Sequence, residues 1–209
     1  LAGRKAVGRL GGGVLMNGRP CGTLFKRISA YVAQEDVFVP TMTSWETLVF
    51  HATLTLPKAV SHEERQSRME DVLRTMGLWR ARGTQVGRAL PGGILVRGLS
   101  GGEKRRLSIA CALIASPSII FMDEPTTGLD SFAALNVMDH MRDLAAMGHT
   151  VVASVHQPRA AIWDMFHKVC VLSEGYQLYC GRPDRALAWF CDALGYEYDL
   201  IRDGAVSDW

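Results

Sequence analysis

The chain has 209 residues, 48% of them hydrophobic, with 23 basic against 21 acidic side chains and a formal net charge of +2. Its length and apolar fraction suffice for a sizeable core, and a pI near 8.4 with dispersed cations excludes the basic footprint of a nucleic-acid binder. Five cysteines (Cys21, Cys111, Cys170, Cys180 and Cys191) lack metal-ligand spacing and read as reduced thiols.

In chain order, Gly11-Gly12-Gly13 reads as a connection into a strand at Val14-Leu15-Met16, turned at Asn17-Gly18. A second strand candidate, Ile28 to Ala33, closes on the polar Gln34. From about residue 36 to 116 the pattern turns helical. Thr43-x-x-Glu46 and Ser61-x-x-Glu64 predict capping boxes, and Gly77 predicts a helix stop. Trp45, Leu48, Val49 and Ala52 form an apolar stripe whose plainest reading is packing on the core. Ser100-x-x-Glu103 predicts a third capping box, opening the helical run Leu107 to Ile114. Gly101 and Gly102 leave its first turn without side-chain bulk, so its unpaired N–H groups and positive dipole end can approach an anion. Lys104-Arg105-Arg106 behind it reads as a solvated helix face or a partner contact.

Residues 117 onward return to an α/β rhythm. Ser118 to Met122 is a short, continuous apolar run, the pattern of a buried parallel strand, and Asp123-Glu124 close it. Open α/β sheets gather ligands at such carboxyl ends. There the first carboxylate can hold magnesium, and the second can orient or deprotonate an attacking water. Ser131 opens a helix with Ala134, Val137, Met138, Met141, Leu144 and Ala145 on one face, ended at Gly148. Thr150 to Val155 is a further buried-strand candidate, closed by His156. Strands at 168–172 and 177–179 flank a turn at Glu174-Gly175. Pro183 begins a last helix with Leu187, Phe190, Cys191 and Leu194 on its buried side. The longest apolar stretch, Leu107 to Met122, is broken at Ser116-Pro117-Ser118 and falls short of the ~20 residues of a membrane-spanning helix.

Each piece alone has a plain structural reading: a capped helix, a solvated acidic strand end, a structural histidine. Gln34, Asp123-Glu124 and His156 all closing strand candidates make a site instead, and with the phosphate-facing turn they point to nucleotide hydrolysis.

Leu99-Ser100-Gly101-Gly102-Glu103 resembles the signature motif of ATP-binding-cassette (ABC) ATPases. Ile119 to Glu124 resembles their Walker B strand, Gly128-Leu129-Asp130 their D-loop, Gln34 their Q-loop glutamine and His156 their switch histidine. Leu1-Ala2-Gly3-Arg4-Lys5, Asn17-Gly18-Arg19-Pro20, Ser108-Ile109-Ala110 and Ser154-Val155-His156-Gln157-Pro158-Arg159 are similar to the wording of the G subfamily, the White-type half-transporters. The resemblance implies an α/β fold: a RecA-like P-loop ATPase core with a mainly parallel sheet and an inserted α-helical subdomain. Residues 1–35 and 117–209 would form the catalytic lobe, and 36–116 the helical subdomain with the signature motif.

It implies ATP and Mg2+ as ligands, with Glu124, His156 and Gln34 catalytic and Gln34 and Asp123 at the metal. Ser100, Gly101, Gly102, Glu103, Asp123 and Asp130 would bind nucleotide. The partners would be a second cassette arranged head to tail and a transmembrane domain beyond residue 209, with no nucleic acid. This domain would lie on the cytoplasmic face of a membrane. The implied work is ATP-driven export of a lipid, sterol, pigment precursor or xenobiotic, with the segment after Gln34 docking on the membrane domain.

One departure is large. The 209 residues contain no Walker A loop, G-x-x-x-x-G-K-[ST]. Aligned on the family, residue 1 falls just past it, so the chain reads as a cassette with its N-terminal part missing. The full-length protein is then expected to be an ATPase and the chain by itself inactive. The alternative function is a catalytically incomplete cassette that serves as a dimerisation partner.

Overall fold

A computed structural model describes residues 2–3, 9, 11–22, 24–89 and 95–195, so Leu1, Arg4 and Lys5 of the N-terminal match lie outside the described residues. The chain divides into two compact units, Leu1–Ser154 and Val155–Trp209.

In the first unit, β1 (Leu15–Met16) pairs antiparallel with β2 (Arg19–Pro20). The pair turns on Asn17 and Gly18, both at positive φ (50° and 76°), the mirror-image turn that suits strand twist. A short helix, α1 (Phe25–Ile28), leads directly into β3 (Ser29–Val32). Two helices follow, α2 (Ser44–Thr55) and α3 (His62–Thr75), then a 3-10 turn at Trp79–Ala81. A small antiparallel pair, β4 (Arg88–Ala89) and β5 (Leu95–Val96), precedes α4 (Gly101–Leu113). The unit closes with β6 (Ile119–Asp123), α5 (Ser131–Ala146) and β7 (Thr150–Ser154).

The expected parallel sheet is present, in the order β3-β6-β7 with β6 central. The register places Tyr31 beside Phe121, Phe121 beside Val152 and Asp123 beside Ser154, so the carboxyl ends of the strands converge. Flanked on both sides, β6 buries Ile120, Phe121 and Met122. The expectation of an equally buried β7 is corrected: Val151, Val152 and Ala153 are half-buried, because among the described strands β7 pairs only with β6.

Leu48, Leu73, Met76, Leu78, Leu107, Ile109 and Ile114 are fully buried, so the core of this part sits where α2, α3 and α4 meet. Helical geometry splits the predicted stripe of α2. Leu48 and Ala52, one turn apart, face the core with Ser44 and Thr47, whereas Val49 lies about 100° further round and is exposed. Phe50 (52% exposed) and Leu54 (71%) share that outer side with Val49.

Thr43 and Ser100 form both arms of their predicted capping boxes. Ser61 accepts from the Glu64 amide, but the Glu64 carboxylate is taken by Arg68 at 2.7 Å one turn on. The stop at Gly77 follows the end of α3, at φ +64°. The cap of α5 is Asp130, one residue before the predicted opening at Ser131; its Oδ1 accepts from the amides of Phe132 and Ala133.

The second unit holds α6 (Ala160–Trp163), a hairpin of β8 (Val169–Ser173) and β9 (Tyr176–Gly181), and α7 (Pro183–Leu194). The turn falls at Glu174 and Gly175, both at positive φ. Tyr179 is buried, with ring centroids 5.6 Å from Trp189 and 6.2 Å from Phe190, and its hydroxyl donates to the Arg182 carbonyl at 2.7 Å. The predicted inner face of α7 is therefore corrected in part. Ala186 is buried and Phe190 and Cys191 are half-buried, but Leu187 is 48% exposed; the Leu194 side chain lies outside the described residues. Among the described residues no helix is long and apolar enough to cross a membrane.

Candidate functional site

The site grows from the end of β6. In adjacent parallel strands, residues in register point to the same face, and so do residues two apart on one strand. Tyr31 is in register with Phe121, so it shares a face with Asp123, and its hydroxyl donates to Asp123 Oδ2 at 2.8 Å. Ser154, the register partner of Asp123 on β7, donates from Oγ to Oδ1 at 2.7 Å. These hydrogen bonds, Ser154 first and then Tyr31, with the charge of Arg105 behind, hold the Asp123 carboxyl below its ordinary 3.8.

The same Ser154 Oγ accepts from the Glu124 amide at 3.0 Å. Glu124 is at φ +42°, a left-handed conformation that costs a non-glycine residue about 1 kcal/mol or more and recurs where a site needs it. Its Oε2 accepts from Gln34 Nε2 at 2.8 Å and from Thr127 Oγ1 at 2.9 Å. Three of the residues expected from the sequence, Gln34, Asp123 and Glu124, are thus joined within one hydrogen-bonded group.

The expectation that Lys104-Arg105-Arg106 forms a solvated helix face or a partner contact is corrected for Arg105. Its side chain is 4% exposed, and it reaches from α4 into the sheet ends. Nη1 donates to the carbonyls of Ala33 and Gln34 and to Asp36 Oδ1 at 3.2 Å, while Nη2 donates to the Asp123 carbonyl at 2.6 Å. Arg106 is also engaged, through Nε to the Met76 carbonyl at 3.0 Å and through Nη1 to Asn136 Oδ1. Sequence reasoning missed Arg105, Tyr31, Ser154 and Thr127. The one available signal was register, since an alternation count places Tyr31 and Ser154 beside Asp123 once the three strands are aligned.

Of the other expected residues, Ser100, Gly101, Gly102, Glu103 and Asp130 make no hydrogen bond to this group among the described residues. Ser100 opens α4, accepting from the Glu103 amide at 3.3 Å while Glu103 Oε2 accepts from the Ser100 amide at 2.9 Å. Gly101 and Gly102 are small for a packing reason too. A Cβ on Gly101 would lie 3.3 Å from Leu129 Cδ2, and one on Gly102 would lie 3.1 Å from Ala133 Cβ, so the turn seats against the start of α5. Asp130 caps α5. His156 belongs to the second unit, two residues past the end of β7.

The turn itself is positioned by two glycines. A Cβ on Gly98 would come within 2.2 Å of the Gln85 carbonyl oxygen, and one on Gly87 within 2.6 Å of the Gly98 nitrogen. Only two bare backbones pass at that distance, and Leu99 donates from its amide to the Gln85 and Val86 carbonyls at 3.1 Å just before the capping box.

Magnesium fits the chemistry of this donor set. Two adjacent carboxylates at a strand end, one held in its ionised form, are hard oxygen donors of the kind magnesium takes together with phosphate oxygens and water. Among the described residues no group of three or more His, Cys, Asp or Glu forms an all-protein cage.

Comparison with known proteins agrees with this geometry. The sequence profile of the ABC transporter family matches residues 8–127. ABC transporter G family member 12 of Dictyostelium discoideum is 47% identical over 196 residues, which cover 94% of this chain and 30% of that protein. Member 8 from the same organism is 47% identical over 196 residues, covering 94% of this chain and 31% of the relative. ABC transporter G family member 14 of Arabidopsis thaliana is 41% identical over 189 residues, covering 90% and 28%. This chain thus spans about 30% of the length of the relatives it matches. A signature turn on α4, a carboxylate pair closing a parallel strand and these matches give one answer: the chain belongs to the ABC transporter family, as an ATP-binding domain of its G subfamily.

Proposed function

We propose that this domain hydrolyses ATP to drive export by a half-transporter, pairing head to tail with a second cassette through one patch used twice. The observation that carries the reading is the hydrogen-bonded group of Gln34, Asp123, Glu124 and Ser154 at the sheet ends. In it Glu124 is the general base for the attacking water, fixed in place by Gln34 and Thr127. Asp123 and Gln34 are the residues that would hold Mg2+, which when bound supplies charge neutralisation at the phosphates. Ser100, Gly101 and Gly102 offer the opposite cassette a helix N-terminus, with the Gly101 and Gly102 amides having no protein acceptor among the described residues. Glu103, which closes the capping box with Ser100, and Asp130, which caps the neighbouring α5, complete the proposed nucleotide-binding set.

His156, two residues past the end of β7, is a catalytic residue in this reading, and residues 36–116 are the helical subdomain. The transmembrane domain, the cytoplasmic placement and a lipid, sterol, pigment-precursor or xenobiotic cargo belong to the same proposal. In the full-length protein, Glu124→Gln is expected to lower ATP turnover by ~10²–10⁴ while nucleotide still binds. Near-normal turnover in steady-state hydrolysis would remove Glu124 as the base.

A further inference from the structure

The second unit carries a pair of thiols that ATP hydrolysis does not use. Cys170 on β8 and Cys180 on β9 are direct cross-strand partners in the antiparallel register, and both are exposed. Opposed residues in such a ladder have Cα atoms about 4.5–5.5 Å apart. A disulfide needs about 4.4–6.8 Å, so register alone brings this pair within bonding reach. Tyr179, the neighbour of Cys180, faces the aromatic rings of α7; alternation therefore turns the two thiols to the opposite face of the hairpin.

The thiols interact. Desolvation first, then the charge of Cys180 and a hydrogen bond with its thiol, push the Cys170 thiol above its ordinary range. Cys170 Sγ also lies 3.6 Å from Gln177 Oε1. The other cysteines of the described residues offer no such pairing: Cys111 is buried and pushed up to about 12, and Cys21 and Cys191 are half-buried without a cross-strand partner.

We infer that Cys170 and Cys180 form a cross-strand dithiol, a modification site that a peroxide closes to an intramolecular disulfide. One thiolate attacks a peroxide oxygen, the O–O bond breaks, and the departing hydroxide takes a proton and leaves as water. The resulting sulfenic acid is attacked at sulfur by the facing thiolate, forming the S–S bond and releasing a second water. The two thiols together give up two electrons and two protons, and the peroxide is reduced.

The test is peptide mapping of the full chain after hydrogen peroxide and quenching with an alkylating reagent. Trypsin leaves both cysteines in the segment 169–185, and further cleavage after Glu174 separates them unless a disulfide joins the halves. The expected result is a segment two hydrogens lighter, unalkylated, whose halves stay joined after the second cleavage and part on reduction. Phenylarsine oxide, which needs two neighbouring thiols, should protect both from alkylation in the unoxidised protein, and Cys180→Ser should abolish both effects. Independent alkylation of Cys170 and Cys180 after peroxide, pairing of either with Cys191, or links only between molecules would overturn the inference.

Discussion

Asp123 shows how little machinery sets the charge of a strand-end acid. Two hydroxyls, one from each neighbouring strand, donate to its two oxygens, and their combined effect with Arg105 keeps it ionised. Its folded pKa is depressed, so the stabilisation is fully present above about pH 4 and fades as pH falls through the depressed value. Tyr31→Phe and Ser154→Ala should each move the Asp123 titration, followed by carboxyl-carbon NMR, back up toward 3.8, with Ser154→Ala giving the larger rise. An unchanged titration in both variants would mean that the two hydroxyls do not govern this charge. Asp123, Glu124 and Gln34 were legible because an apolar run ending in a polar residue is a local pattern. Tyr31 and Ser154 were not, since nothing within a few residues of either points at an acid 92 or 31 positions away.

At the scale of elements, local rules carried the helix starts. The boxes at Thr43 and Ser100 form as read because donor and acceptor are three residues apart and, among the described residues, no cation pairs with Glu46 or Glu103, whereas Glu64 has Arg68 on the next turn. The crossing of Gly87 and Gly98 could not be read, because a close approach between two backbones leaves no side-chain signal except the glycines themselves. Gly98→Ala is expected to force these segments apart and destabilise the protein by about 1–3 kcal/mol, measured as a lowered midpoint in thermal or denaturant unfolding. Gly101→Ala, with a flexible Leu129 side chain as its neighbour at 3.3 Å, should cost less. Equal midpoints for the two variants would contradict the backbone crossing.

For the molecule as a whole, the sheet and the packed helices follow from composition and periodicity, but the sidedness of α2 does not. The apolar stripe counted from sequence divides between the core and an exposed patch of Val49, Phe50 and Leu54, with Val37 (80% exposed) and Val39 (55%) also outward after Gln34. Within the proposed function, this patch is the candidate docking surface for a membrane domain. Phe50→Ser should leave stability within about 0.5 kcal/mol and ATP turnover intact while reducing transport per ATP consumed; unchanged transport would count against that role.

The Arg105 guanidinium has a mechanical consequence of its own. One cation on the signature-bearing helix grips the chain at Ala33, Gln34 and Asp36 and again at the Asp123 carbonyl. It works as a rivet between α4, the segment after β3 and the end of β6. Any displacement of α4 would have to drag Gln34 and Asp123 along or strip a nearly dry positive charge of its acceptors, so these contacts couple the helix to the sheet ends.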